Sequence, residues 1–247
     1  MSSQQPRPSF LAVAGAVVAT ACLYFFSTGL HGIGSLIFIA PFPILIVAFR
    51  SSFGVTFAAS LAAYAIGATN LAGYLMGLAP LGVVIASIIV PAVAFALAVA
   101  LTRAVVLHGT PWLGVLTFPS AWTSYEFLLS LVSPHGTAGS IAYTQTGFLP
   151  LLQVVSLTGI WGLTFTVSII PAGLAIAWYA GDNRRRAIAA LAIPSALTLA
   201  VVLFGTIRIL DRRPEWPIQV GLAACDTTVR HSDAISDTVS IPVVNAY

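Results

Sequence analysis

Long apolar runs alternate with short polar gaps along the first 209 residues of the chain. About 20 apolar residues in a helix cross the hydrocarbon core of a bilayer. Seven runs approach or exceed that length, at residues 9–28, 33–49, 53–78, 81–107, 112–132, 160–180 and 187–207. The pattern therefore predicts an all-α polytopic membrane bundle of about seven transmembrane helices over residues 1–209.

Six of the ten positive charges precede the first run or lie in or beside alternate gaps between the runs, and the other four follow the seventh run. All ten are arginines, and the chain contains no lysine. Arg7 precedes the first span, Arg50 and the triplet 184–186 lie in the second and sixth gaps, and Arg103 lies near the end of the fourth span, beside the fourth gap; the first, third and fifth gaps contain no arginine. Positive residues in short loops stay cytoplasmic. We therefore predict a cytoplasmic N-terminus and, because seven is odd, an extracytoplasmic C-terminus.

The composition favours an integral membrane protein. Hydrophobic residues make up 58% of the chain and charged residues only 7%, against about 25% charged residues in a soluble domain. The net charge of +3 comes from arginines that set topology, so we predict no nucleic-acid partner. The two cysteines, Cys22 and Cys225, are predicted in different regions and suggest no disulfide. We find no spacing for metal ligands and no cofactor motif.

The last segment changes character and is predicted to lie outside the membrane. Residues 210–217 are interpreted as a linker, because Pro214 and Pro217 do not fit inside a helix and Trp216 suits an interface. The apolar run 218–224 has only seven residues, so a buried strand is favoured over an eighth span. Residues 218–247 are therefore expected to start a second domain that is truncated, or to form a degenerate remnant.

Glu126 is the only acidic residue before Asp182, and it lies in the middle of the fifth predicted span. A carboxylate at membrane depth is costly unless it faces a cavity, pairs with a cation or is protonated. Two interpretations stay open. Glu126 either lines a lipid-facing or substrate pocket, or it is a protonated or hydrogen-bonded residue that pins two helices together.

The fifth gap, residues 133–159, is long, rich in glycine and free of charge. Long loops with little regular structure are usually functional or disordered, and the apolar residues here argue against disorder. We predict a re-entrant or interfacial segment packed on the bundle. His135, next to Gly136, is either a proton shuttle or a turn residue, and the turn is favoured because no second catalytic group is adjacent in sequence.

Three segments resemble bacterial apolipoprotein N-acyltransferases. Residues 118–126 resemble the Pro…Trp…Glu span of that family through Pro119, Trp122 and Glu126. Residues 142–145 resemble its Gly-Tyr-Ser-Gln loop, and residues 150–162 its Pro-Leu-Leu-Gln…Gly…Gly segment. The resemblance covers most of the chain, and the combination of segments is specific.

The resemblance implies a fold, an activity and a location. The enzymes that this chain resembles have a membrane bundle that carries an extracytoplasmic α/β nitrilase-like domain. The resemblance implies that residues 218–224 are the first strand of such a domain. They reside in the bacterial inner membrane and need no cofactor. Their partners are a phospholipid, which donates an acyl chain, and a diacylglyceryl lipoprotein, which accepts it. The chain is first held as a thioester on a catalytic cysteine of the enzyme and then passes to the N-terminal cysteine of the lipoprotein. A glutamate and a lysine complete that triad.

No catalytic residue is carried over to this chain. The triad would lie beyond Tyr247, the chain has no lysine, and Cys225 stands at the first strand rather than at the nucleophile position. The arginine that often follows the span-five glutamate is also missing, with leucines in its place. Five residues are the candidates for a substrate or lipid pocket: Trp122, Glu126, His135, Tyr143 and Gln145.

Three hypotheses about function follow. The first is the membrane part of an apolipoprotein N-acyltransferase-like protein. The second is a non-catalytic membrane protein that binds lipid or lipoprotein. The third is a small transporter, which the absence of an internal repeat in the sequence disfavours.

Overall fold

The computed structural model describes residues 7–29, 32–109 and 111–211. Within these ranges the chain is helical and contains no β-strand. The helices are α1 Phe10–Ser27, α2 Phe42–Ala48, α3 Phe53–Gly67, α4 Ala72–Met76, α5 Leu81–Leu107, α6 Pro111–Val132, α7 Leu149–Leu152, α8 Val155–Tyr179 and α9 Arg184–Leu210. Three 3-10 turns accompany them, at Gly34–Phe38, Ala68–Leu71 and Ile141–Gln145. The predicted strand 218–224 lies outside the described residues, as does the linker 210–217 apart from its first two positions.

The prediction of a helical membrane bundle is confirmed. Five stretches of the described chain are long and apolar enough to cross a bilayer: Phe10–Ser27, Phe53–Met76, Leu81–Leu107, Val155–Tyr179 and Arg184–Leu210. Helix α6 has 22 residues but is less apolar, because it contains Glu126 and several hydroxyl-bearing side chains. The predicted total of seven spans is therefore shown only in part.

The second predicted span, residues 33–49, is interrupted. A 3-10 turn at Gly34–Phe38 is followed by the seven-residue helix α2, with Pro41 as its N-cap and Pro43 in its first turn. Proline has no N–H to donate within a helix, but it fits the first turn, where that N–H has no partner in any case. The prolines therefore begin a new helix here instead of continuing the first.

The bundle is assembled from helices that pack side by side. Helix α6 packs against α5 and α8, α5 against α3, α3 against α1, and α8 against α9. Aromatic rings fill the space between α1, α3, α5 and α6. Their centroids lie 4.8 to 5.9 Å apart, and the rings belong to Tyr24, Tyr64, Phe95, Phe118 and Trp122. Within this cluster, the rings of Tyr64 and Phe95 pack directly against the indole of Trp122.

Two ends of the bundle can be distinguished by their contacts. At the arginine end, Nε of Arg103 donates to the carbonyl oxygen of Ser51 at 3.0 Å. The ring of Phe49, next to Arg50, lies 5.3 Å from the ring of Tyr179 at the end of α8. The arginines of gaps two, four and six thus gather at one end. Helix α6 starts near that end and delivers segment 133–148 to the other, which we call the loop end.

Candidate functional site

The carboxylate of Glu126 is the centre of a buried polar cluster near the loop end. The residue is 7% exposed. Its Oε1 accepts hydrogen bonds from Nε1 of Trp122 at 3.1 Å and from the backbone N–H of Ile141 at 2.9 Å. Its Oε2 accepts from the hydroxyls of Ser140 at 2.6 Å and Thr164 at 2.7 Å. A carboxylate has about four acceptor positions, and these four donors occupy them.

Each donor reaches Glu126 for a local reason. Trp122 lies four residues earlier on α6 and so faces the same side of that helix. Thr164 comes from α8, which packs against α6. Ser140 is the N-cap of the turn Ile141–Gln145, where its hydroxyl also accepts from the N–H of Ala142 at 3.2 Å. The carboxylate therefore joins α6, α8 and the loop segment through one group.

The donors around Glu126 are neutral. Arg103, the cation nearest to it in sequence, is bonded to Ser51 at the arginine end instead. Within the described ranges, no ion pair involves Glu126. Both oxygen atoms of Glu126 are occupied by protein donors. In this state its role is to hold the loop segment against α6 and α8.

The turn Ile141–Gln145 orients two of the predicted residues in opposite directions. Gln145 is 3% exposed, and its Nε2 donates to the carbonyl oxygen of Gly34 at 2.9 Å. Tyr143 is 50% exposed, and its hydroxyl lies 2.8 Å from Oγ1 of Thr137. Gln145 thus fastens the loop to the turn that follows α1, while Tyr143 presents its ring on the outer surface of the loop.

His135 stands apart from this cluster. It is exposed in the turn that follows α6. Its N–H donates to Oγ of Ser133 at 3.2 Å, and its carbonyl oxygen accepts from the N–H of Ala138 at 3.2 Å. Gly136 and Gly139 have φ of 57° and 88°, which glycine adopts without steric cost. The structure therefore brings Trp122 and Glu126 into direct contact, attaches Tyr143 and Gln145 to them through the loop, and leaves His135 in a surface turn.

Ser140 and Thr164 were missed by sequence reasoning. A serine before a short helical turn is a common N-cap, so a signal for the local role of Ser140 was present. Thr164 gives no such signal, because it is one of many hydroxyl residues in an apolar span. Nothing in the sequence identifies the helix faces that meet.

An apolar groove runs along α5 and α6, lined by a face of α6 other than the one that carries Trp122 and Glu126. Its volume is about 610 Å³. The lining side chains are mostly aliphatic, and they include Leu97, Leu101, Leu128, Val132 and Tyr125. The hydroxyl of Tyr125 is buried without a hydrogen-bond partner in the described chain. Such a surface suits a hydrocarbon chain with one polar contact.

Comparison with known proteins identifies the family. A family model described as the apolipoprotein N-acyltransferase N-terminal domain matches residues 14–173. That range contains the larger part of the chain, from within α1 to within α8, and includes Glu126, all four of its donors, and the loop. No curated protein sequence matches the chain. The suspected resemblance is thereby confirmed, and the chain belongs to the apolipoprotein N-acyltransferase family, of which it carries the N-terminal membrane part.

Proposed function

We propose that this chain is the membrane part of an apolipoprotein N-acyltransferase-like protein. When completed by a nitrilase-like catalytic domain, that protein transfers an acyl chain from a phospholipid to the N-terminal cysteine of lipoproteins. The observation that carries the proposal is the family match over residues 14–173. The matched range contains the buried Glu126, which holds the loop at one end of the bundle through hydrogen bonds from Ser140 and Ile141.

The proposed topology places the loop end outside the cytoplasm. In this arrangement the interrupted segment Gly34–Ala48 and helix α6 complete seven spans in the bacterial inner membrane. The N-terminus is cytoplasmic and the C-terminus extracytoplasmic. Residues 218–224, which lie outside the described residues, are proposed as the first strand of the nitrilase-like domain. The gathering of arginines at the opposite end supports this orientation, because positive loops stay in the cytoplasm.

The site residues are proposed to shape a lipid pocket. The groove between α5 and α6 takes an acyl chain, and the exposed ring of Tyr143 contacts the lipid near its head group. Glu126, Trp122 and Gln145 hold the loop that carries Tyr143. Positioning of this kind contributes to rate by holding donor and acceptor in a reactive geometry. The covalent chemistry itself needs an activated thiol, which these residues do not supply.

A lipid-binding experiment tests the pocket. The purified chain is titrated with a fluorescent phospholipid in detergent. We expect Ala121→Phe, which fills the groove, and Tyr143→Ala each to weaken binding several-fold. Tyr74→Ala is the matched control, because Tyr74 is 53% exposed on α4, outside the Glu126-bound loop. Equal weakening by Tyr74→Ala, or unchanged binding in both test variants, contradicts the proposed pocket.

A non-catalytic lipid- or lipoprotein-binding protein is the second candidate. It is favoured by the apolar groove along α5 and α6, which can hold an acyl chain whether or not a catalytic domain is attached. A chimera separates the two functions: a nitrilase-like domain from a complete family member is fused after Leu210. Acyl transfer by the chimera supports a membrane part of an enzyme, whereas lipid binding without transfer supports the non-catalytic candidate. We expect the 247 residues alone to bind lipid without turnover.

A further inference from the structure

Two half-buried arginines lie at the arginine end of the bundle, on two segments that contact each other. Arg50 lies in the turn between α2 and α3, and Arg103 in the last part of α5. Nε of Arg103 donates to the carbonyl oxygen of Ser51, the residue after Arg50. A guanidinium has five N–H donors, so four donors of Arg103 are not used by this bond.

Neither arginine has a carboxylate partner in the described parts of the chain. The acidic residues there are Glu126, Asp182 and Asp211. Glu126 is enclosed by its own four donors, and no ion pair joins any of these acids to Arg50 or Arg103. A cation that is partly removed from water without a counter-ion is unfavourable. An anion supplied from outside the protein would offset that cost.

The turn between the arginines offers further donors to an anion. Helix α3 begins at Phe53, and the hydroxyl of its N-cap, Ser52, accepts from the N–H of Val55 at 3.5 Å. The N–H groups of Phe53 and Gly54 have no hydrogen-bond partner among the described residues. The space next to the Cα of Gly54 is open. Free N–H groups and the positive end of the helix dipole together favour phosphate-like anions.

A second feature of the same turn is the hydroxyl of Ser51. Ser51 is 7% exposed, and its hydroxyl is buried without a hydrogen-bond partner in the described residues. Buried hydroxyls are normally paired. Residues 50–54 and the neighbouring helix α5 therefore carry two arginines without a carboxylate partner, N–H groups at a helix N-terminus and a hydroxyl without a partner among the described residues.

We propose that this turn binds the phosphate group of an anionic phospholipid. The shared chemistry is a phosphate oxyanion, and the lipid is favoured over free phosphate by the apolar surroundings. Phe53, the first residue of α3, is 60% exposed and stacks on Phe57 with ring centroids 6.3 Å apart. Both rings are placed to contact acyl chains below the head group. Basic sites between helices at the cytoplasmic face are a known way to bind anionic lipids. This inference does not depend on the acyl-transfer proposal.

The test compares lipids and matched arginine variants. The purified chain is placed in nanodiscs of phosphatidylcholine, with or without phosphatidylglycerol, and the lipids retained are counted by native mass spectrometry. We expect phosphatidylglycerol to be retained preferentially. Arg50→Gln and Arg103→Gln should each lower its apparent affinity about fivefold, which is the usual effect of one basic residue near an anionic surface. Arg185→Gln, which removes an exposed charge from the same end, should change it little.

Several outcomes would overturn the proposal. One is the absence of a preference for phosphatidylglycerol, and another is an equal loss in Arg185→Gln, which would indicate unspecific charge attraction. Inorganic phosphate added to phosphatidylcholine nanodiscs tests free phosphate as the ligand. If phosphate raises the melting temperature of the wild-type chain but not of Arg50→Gln and Arg103→Gln, and phosphatidylglycerol does not raise it, the ligand is not a lipid. Arg103→Lys keeps the charge and should retain most of the binding. A loss of binding in that variant with an unchanged melting temperature in phosphatidylcholine would contradict an electrostatic site.

Discussion

At the scale of single residues, the site depends on a buried carboxylate that is stabilised by neutral donors. Glu126 receives two bonds on each oxygen atom. Hydrogen bonds to charged groups are stronger than those between neutral groups, and leaving a buried partner unsatisfied is more costly than the bond itself is worth. The stability of the loop end should therefore depend on the individual donors.

Thr164→Val tests one of these donors. The substitution removes the hydroxyl that donates to Oε2 of Glu126 and leaves that oxygen with one donor fewer. We expect the free energy of unfolding to fall by about 1–3 kcal/mol, as measured by denaturant unfolding in micelles. Thr166→Val is the matched control, because Thr166 lies on the same helix and its hydroxyl donates only to the carbonyl oxygen of Gly162. Equal effects of the two variants would show that the bond to Glu126 has no special role.

Glu126→Gln tests the carboxylate itself. An amide keeps all four contacts only if the hydroxyls of Ser140 and Thr164 turn round and accept from its NH2 group, and every bond then loses the charge of the carboxylate. We expect the backbone amides of residues 140–145 to exchange hydrogen faster in this variant, while those of α5 keep their protection. Ser130→Ala, on the same helix, loses only the bond from the Ser130 hydroxyl to the carbonyl oxygen of Phe127. This control should leave the hydrogen exchange of the loop unchanged.

At the scale of elements, the close approach of backbones at two glycines fastens the loop end of the bundle. The turn at Gly34 lies against the carbonyl group of Thr144, and a Cβ added at Gly34 would overlap that oxygen. Gly205 on α9 approaches the carbonyl of Pro150 in the same way. These contacts connect the loop segment and α7 to the turn after α1 and to α9, so the loop end is fastened at several points besides Glu126.

Gly34→Ala should disturb this packing. The new methyl group must displace the backbone of Thr144, and overpacking of this kind costs typically about 1–3 kcal/mol. We expect a lower melting temperature and a weaker bond between Gln145 and the Gly34 carbonyl, visible as faster cleavage of the loop by protease. Gly82→Ala is the control, since nothing lies within 4 Å of a Cβ at that helical position. If both variants melt at the wild-type temperature, the approach of Gly34 to Thr144 is not tight in the membrane.

At the scale of the whole molecule, the bundle has an end with arginines and an end with the glutamate-bound loop. Phe49 and Tyr179 join α2 to α8 at the first end, and Gln145 joins the loop to Gly34 at the second. The separation places Tyr143, the proposed contact for the lipid head group, and the proposed phosphate site at opposite ends of the bundle. The two sites can therefore be tested independently.

The orientation of these ends is accessible to cysteine labelling. In a variant whose Cys22 and Cys225 are replaced by serine, His135→Cys should react with an impermeant maleimide in intact spheroplasts. Arg185→Cys should react only after the membrane is opened. His135 and Arg185 are both exposed, so burial of the labelled position does not explain a negative result. The reverse pattern would place the loop end in the cytoplasm and refute the topology and the function proposed from it.

The sequence by itself determined the class of protein, the position of most helices and the most unusual residue. Apolar length is a property of the local chain, so the predicted span 81–107 coincides with α5, and 112–132 with α6 to within one residue. A lone glutamate in an apolar run is likewise visible without a structure. The start of the short helix α2 at Pro41 and Pro43 follows from the local sequence, but the 3-10 turn at Gly34–Phe38 was less predictable, because the close contact of Gly34 with Thr144 involves residues far apart in the chain.

Only the tertiary structure decided which side chains meet. In a soluble helix an apolar stripe marks the buried face, but these spans are apolar on nearly every face, since lipid and protein interior are both hydrocarbon-like. The periodicity therefore contains little information about orientation. For that reason Ser140 and Thr164 became visible as partners of Glu126 only when α6 and α8 were packed together, and Arg50 and Arg103 became neighbours only when α5 met the turn before α3.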